Sequence, residues 1–199
     1  MKIRLARLSD AAALAEIYAY YVENFSYSFE YEAPGAADFA RRIESTLSFF
    51  PFFVCEGAVG AEDMEGAEGA TGGNGGESVI DGYAYAHFYH ERKAYQWVCE
   101  TSVYTRNGRR QRGVGTALYK ALLPALASQG FTKALAVLGC PNEGSEIFHQ
   151  KMGFTQLAEF KNMGYKFAEW HDVKYYEYQL NPVRERMAEP ISYATTQER

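Results

Sequence analysis

Three kinds of residue in this sequence are spaced so that they could do chemistry together: a glycine pair among arginines, a carboxylate and an imidazole. The glycines belong to residues 110–116, RQRGVGT, where Gly113 and Gly115 let the backbone approach a ligand closely. An extended run, WVCETSVYT, leads into this loop and an apolar helical stretch leaves it. A strand, a glycine loop and a helix in that order offer an anion the first free N–H groups of the helix and the positive end of its dipole. A bare G-x-G is a weak signal, but Arg109, Arg110 and Arg112 and the strand-loop-helix setting point to phosphate. The candidate cradle is therefore Arg110, Gln111, Arg112, Gly113, Val114, Gly115 and Thr116. The carboxylate is Glu100, inside the extended run, and the imidazole is His149, in a helical segment that follows Asn142. If Glu100 lies among Tyr95, Trp97 and Tyr104, burial raises its pKa and makes it a better base. The competing readings are a salt-bridged surface glutamate and a packed structural histidine.

These residues need a scaffold, and the hydrophobic periodicity supplies one. Residues 2–6 alternate as a short strand, Ser9 is placed as a helix N-cap, and Leu14, Ile17, Tyr18 and Tyr21 follow at helical spacing. NFSYSFEYEA, residues 24–33, has aromatic residues without helical period and reads as a loop laid against something. A second helix over 36–50 would bury Phe39, Ile43, Leu47 and Phe50 and stop at Pro51. Strands are predicted at 52–56, 79–89 and 96–105, the last two tyrosine-rich and suited to the middle of a sheet. Beyond the glycine loop, a helix ends at Gly130, with Pro124 inside it expected to bend it. A strand at 133–138 follows, then a helix opened by Pro141 and Asn142 with Ile147 and Phe148 inward, and strands at 154–160 and 173–180 around a loop at 164–172. The order β α α β β β α β α β β predicts an α/β fold, a mixed β-sheet with helices on its faces in one domain spanning 1–180. Residues 181–199 read as a polar tail that frays.

Composition narrows the function classes. At 199 residues and 47% hydrophobic, the chain can bury one sizeable core. Residues 57–78 hold eight glycines and five acids with no Lys or Arg, so this stretch alone carries the net charge of -5 and the remainder is balanced. It reads as a long mobile hairpin insertion, inert or functional, since lengthening a surface loop costs only about 0.6 kcal/mol per doubling. Charge gives no support to a nucleic-acid or membrane partner, and no apolar run is long enough for a membrane span. The N-terminus lacks the apolar core of a signal peptide, so the expected location is cytoplasmic. Cys55, Cys99 and Cys140 are widely spaced with no C-x-x-C, which indicates neither disulfides nor a metal site.

The element order, the Arg-x-x-Gly-x-Gly loop at Arg110, Gly113 and Gly115, and the segment from Asn142 to Gly153 and Phe154 resemble the GNAT family of acyl-CoA-dependent N-acetyltransferases. AYQWVCETSVY, RRQRGVGTALY, ASQGF, PNEGSEIFHQKMGF and YKFAEWHDV are similar to the phosphinothricin N-acetyltransferase branch, whose members acetylate small amino-acid-like amines. The likeness covers most of residues 2–180, while the acidic glycine stretch is longer than usual there. The resemblance implies acetyl-CoA as co-substrate, its pyrophosphate on the glycine loop and its pantetheine amides along the strand edge at Val103, Tyr104 and Thr105. It implies a splay between that strand and the one ending at Leu138, with Asn142 and Ser145 facing the coenzyme, although Asn142 is equally a helix cap. Glu100 takes the place of the family's general base, and His149 that of the residue that protonates the leaving thiolate or relays for the base. An acetyl-cysteine on Cys99 is disfavoured, because strand alternation turns its thiol away from Glu100. Arg92 is similar to the family's substrate-side arginine, with Phe29 and Tyr95 as walls; an exposed, solvated Arg92 is the alternative. The implied reaction is direct acetyl transfer to a small amino acid or analogue of the phosphinothricin or methionine sulfoximine type, and a homodimer is implied too. The rivals are a non-catalytic acyl-CoA sensor and an enzyme for peptide N-termini or polyamines.

Overall fold

The computed structural model describes residues 1–58, 78–108 and 113–198. Within them run β1 (Lys2–Leu5), α1 (Ala11–Asn24), α2 (Ala36–Leu47), β2 (Phe52–Ala58), β3 (Ser78–Phe88), β4 (Val98–Thr105), α3 (Val114–Gln129), β5 (Lys133–Gly139), α4 (Glu143–Lys151), β6 (Thr155–Lys166), β7 (Glu169–Gln179) and the one-turn α5 (Tyr193–Thr196). Seven strands form one sheet in the order β1-β2-β3-β4-β5-β7-β6. All neighbours are antiparallel except β4 and β5. Strand alternation splits the apolar residues between two layers. Phe52, Val54 and Tyr83 face α1 and α2, where they meet Leu14, Ile17, Phe39 and Ile43. Phe53, Cys55, Ala84, Cys99 and Ala134 face α3, where they meet Leu118, Leu122 and Leu126.

The parallel pair is where the sheet opens. β4 pairs with β5 only at Val98, Cys99 and Glu100, against Lys133, Ala134 and Leu135. From Thr101 onward β4 keeps its β3 partner and has no β5 partner.

Several elements differ in detail from the sequence expectation, each for a physical reason. Ser9 is not a cap: a 3-10 turn over Leu8–Asp10 precedes α1, and the Asp10 carboxylate accepts from the Arg7 N–H at 2.7 Å while pairing with Arg4. The second helix stops at Leu47, so Phe50 turns into the α3 layer instead of joining Phe39 and Ile43. Pro124 lies inside α3 as expected, on its exposed side, where the freed Lys120 carbonyl can bond water. The expected loop at 164–172 is mostly strand. β6 and β7 extend to a two-residue turn at Phe167 and Ala168, both at positive φ, and a register shift between Phe160 and Gly164 disguises the alternation. The tail from 188 to 196 is docked instead of frayed: buried Gln129 donates to the carbonyls of Phe49 and Ile191, and Trp97 Nε1 donates to Ala188 O at 2.8 Å. The acidic glycine segment lies outside the described residues over 59–77.

Candidate active site

The opening between β4 and β5 is the mouth of a cavity of about 720 Å³. One wall is β4 itself, from Thr101 through Val103, Tyr104 and Thr105, and the opposite wall is the end of β5 at Val137 and Leu138. Gly113, Val114, Gly115 and Thr116 from the start of α3, with Asn142, Ser145 and His149 from α4 and its cap, complete the lining. An extended chain carrying amides can lie along the unpaired β4 edge as an extra strand would. Gly113 caps α3 in the left-handed region at φ 80°, and the N–H groups of Val114, Gly115 and Thr116 are the first of a 16-residue helix, a ready anion site. A Cβ on Gly115 would press on the Phe148 ring at 3.2 Å, so glycine also lets α4 close against α3. Arg110, Gln111 and Arg112 lie outside the described residues. Asn142 caps α4, its Oδ1 accepting from the Ser145 N–H at 3.3 Å, and lines the cavity as well.

Glu100 and His149 flank β4 from opposite faces at the point where the strands part. Glu100 is the last β4 residue paired to β5 and points to the α1–α2 side, beside His87 Nε2 at 3.8 Å. Burial raises its pKa above the ordinary carboxylate value, and the nearby His87 partly opposes the rise. Of the aromatic residues expected around it, Tyr95 packs on Tyr89 and His90, Trp97 donates to the tail, and Tyr104 packs against Tyr18, Tyr21 and Tyr83. Cys99 is fully buried in the α3 layer, and burial pushes its thiol far above the ordinary range.

His149 is enclosed in a hydrogen-bonded chain. Its Nδ1 lies 2.8 Å from Ser145 O, which can only accept, so Nδ1 carries the proton and Nε2 accepts from the Tyr119 hydroxyl at 3.1 Å. Tyr119 lies 3.1 Å from Thr101 Oγ1, which donates to Leu135 O at 3.0 Å. Burial lowers the His149 pKa to about 4, so the ring is neutral at pH 7. An imidazolium acid at this position is therefore not populated; a neutral relay or positioning group is.

The three residues expected on the acceptor side are scattered outside this cavity. Phe29 lies against Gly164, where any Cβ would strike its ring, and stacks near His171. Arg92 is exposed at the β3–β4 connection, and Tyr95 is half-exposed beside it. This connection is nonetheless near Glu100, because Tyr89 continues β3 and both it and Glu100 lie close enough to Tyr175 to add to the rise that burial gives the Tyr175 pKa. The aromatic loop after α1 is pinned by Lys166, whose buried ammonium donates to the carbonyls of Val22, Phe25 and Ser28 at 2.7, 3.1 and 2.8 Å. The sequence reading missed Tyr21, Thr101 and Lys151, all of which line the cavity. By its helical spacing Tyr21 reads as a core residue of α1, yet its hydroxyl donates to Thr105 O at 2.6 Å. Thr101 was readable only as the strand neighbour of Glu100. Lys151, a last-turn lysine, gave no signal beyond its charge.

A family profile described as an acetyltransferase (GNAT) domain matches residues 77–174. The chain is 29% identical over 193 residues to a phosphinothricin N-acetyltransferase of Streptomyces viridochromogenes, covering 96% of this chain and 95% of the relative. It is 29% identical over 103 residues to an L-methionine sulfoximine/L-methionine sulfone acetyltransferase of Pseudomonas paraeruginosa, covering 52% of this chain and 60% of that one. Its fold superposes with a TM-score of 0.78 at 25% identity on a GNAT superfamily phosphinothricin acetyltransferase from Sinorhizobium meliloti, solved in complex with acetyl-CoA, over 96% of this chain and 97% of that chain. The chain belongs to the GNAT acetyltransferase family and is an N-acetyltransferase-family enzyme.

Proposed function

We propose that this protein transfers the acetyl group of acetyl-CoA directly to the amine of a small amino acid or analogue of the phosphinothricin or methionine sulfoximine type. The observation that carries this reading is the opening of β4 from β5 immediately after Glu100, with a helix N-terminus in its lining. Acetyl-CoA fits these residues: its pyrophosphate suits the N–H groups of Val114, Gly115 and Thr116, with Arg110, Gln111, Arg112 and Gly113 completing the loop. Its pantetheine amides suit Val103, Tyr104 and Thr105 on one side and Asn142 and Ser145 on the other, and Lys151 offers a further cation. When bound, it supplies an activated thioester.

The chain's own residues then have three tasks. An alkylammonium must lose a proton before it can attack, and Glu100, made more basic by burial, takes it. The developing oxyanion needs a donor, and the backbone N–H near Val103 is the candidate. The departing thiolate needs a proton, which the attacking nitrogen still carries after Glu100 has taken one; His149, neutral and held through both ring nitrogens by Ser145 and Tyr119, is the positioning group on that side. On the acceptor side Arg92 offers a cation to the α-carboxylate and Tyr95 an aromatic wall, while Phe29 shapes the site through the β6–β7 hairpin. A homodimer belongs to the same reading, supported by Phe160, Met163, Phe167 and Trp170, large apolar side chains exposed on β6, β7 and their turn. Three buried free cysteines suit the reducing cytoplasm.

The test is thiol release from acetyl-CoA across phosphinothricin, methionine sulfoximine, methionine sulfone, the common amino acids, polyamines and N-terminal peptides. Turnover confined to small amino-acid-like amines supports the proposal. Turnover only with peptides or polyamines moves the acceptor, and acetyl-CoA binding without turnover on any amine makes the protein a sensor.

A further inference from the structure

Acetylation of a primary ammonium releases a proton at each turnover. The amine nitrogen bonds to the thioester carbonyl carbon, and the carbon–sulfur bond breaks with its electron pair going to sulfur. Of the three ammonium protons, one stays on the amide nitrogen, one ends on the thiol and one must leave. Glu100, if it is the base as proposed above, has to shed that proton before the next cycle. Its carboxyl is three-quarters shielded from solvent, with 26% of its side chain exposed, and the side chain across the β3–β4 ladder is His87.

The His87 ring is oriented for the task. Its Nδ1 lies 3.0 Å from Phe88 O, an acceptor only, so Nδ1 holds a proton; in the neutral ring the Nε2 lone pair faces Glu100 Oε1 at 3.8 Å, and in the protonated ring an Nε2–H faces the carboxylate, the pairing that opposes the rise in the Glu100 pKa. One water, or a small torsion of this half-exposed side chain, spans that gap. The other side of His87 opens on a second cavity of about 450 Å³ between β3 and α2, lined also by Tyr85, Asp38, Arg41 and Arg42. Both arginines are already paired, Arg41 with Asp38 and Arg42 with Glu30, so a passing imidazolium does not face two bare cations. We propose that His87 is the proton exit of this enzyme: it receives at Nε2 the proton that Glu100 has taken from the amine and releases it to water in the α2–β3 cavity.

His87→Ala is the direct test, since the side chain is half exposed and its removal spares the core. With a turned-over amine, kcat should fall about tenfold or more while the KM for acetyl-CoA stays within twofold, and added imidazole should restore rate in His87→Ala but not in the His87→Ala/Glu100→Gln double variant. An unchanged kcat, or a loss that imidazole does not reverse, overturns the relay. A readout free of turnover is the ¹⁵N spectrum of the His87 ring in the protein alone, which should report the Nδ1–H tautomer; an Nε2–H tautomer overturns the proposal. The underlying mechanism fails separately: full activity in Glu100→Gln removes the base, whereas an inactive Glu100→Gln beside a normal His87→Ala removes only the exit.

Discussion

On the α3–α4 side of the β4–β5 opening the lining is largely backbone: an unpaired strand edge, a helix N-terminus and a capped second helix. On the α1–α2 side the surroundings of Glu100 are side chains from separate parts of the chain, among them His87 and Tyr175, with Arg42 and Tyr85 beyond. The first side suits a ligand common to a whole family, because backbone N–H and C=O groups survive most substitutions. The second can be respecified one side chain at a time, as an acceptor site requires. A substitution on one side should therefore leave the other side's ligand nearly untouched, and each prediction probes that separation.

The largest effect is expected at the seam. Glu100→Gln should lower kcat by about 10² to 10⁴ with donor affinity preserved, read by steady-state kinetics and by acetyl-CoA titration. The pH dependence carries the sign. Glu100 must be a carboxylate to act, and burial raises its pKa, so kcat/KM should fall on the acid side above the ordinary glutamate range. That limb should vanish in the Gln variant.

Next in size is a stability effect on the backbone-lined side. The His149 pKa falls from 6.5 to about 4 on burial, so between those values the unfolded chain binds a proton that the folded chain does not. The stability this neutral histidine allows is complete above pH 6.5 and is lost as pH falls toward 4, by about 3 kcal/mol at 1.36 kcal/mol per pKa unit. Urea unfolding at pH 7.5 and 4.5 should show a steeper loss in the wild type than in His149→Gln. Equal slopes would mean that the ring is charged and the Ser145–Tyr119 chain is broken.

The difference between the two sides also explains what could be read from the chain. Local signals fixed the order of every major element, because each strand and helix carries its own period, and they drew attention to Gly113, Gly115, Asn142 and Glu100 because each lies in a motif of a few residues. The reading failed where a distant segment decides. Phe50 changes layers because α2 ends early, β6 and β7 hide behind a register shift, and the polar tail is held by Gln129 about 60 residues away. Phe29 could not be placed for the same reason: what it touches is Gly164.

Gly113→Val should give the third effect. At φ 80° a β-branched residue is strained, and reshaping this cap misdirects the N–H groups that follow it. A tenfold or larger rise in the KM for acetyl-CoA is expected, with the acceptor KM within about twofold. A matching rise in both would show that the two sides are coupled through β4.

The smallest effect belongs to Arg92, and it discriminates most sharply. Its guanidinium is exposed at the β3–β4 connection, outside the described cavity, so a carboxylate that reaches it does so in high dielectric, where one such contact is worth about 1 kcal/mol or less. Arg92→Ala should therefore raise the acceptor KM only about three- to fivefold for amines bearing an α-carboxylate. It should leave the KM unchanged for the corresponding amine without one, and leave the acetyl-CoA KM unchanged for both. Equal effects on both amines would remove Arg92 from carboxylate recognition and move the search to Arg42 and Arg41, on the α2 wall opposite His87.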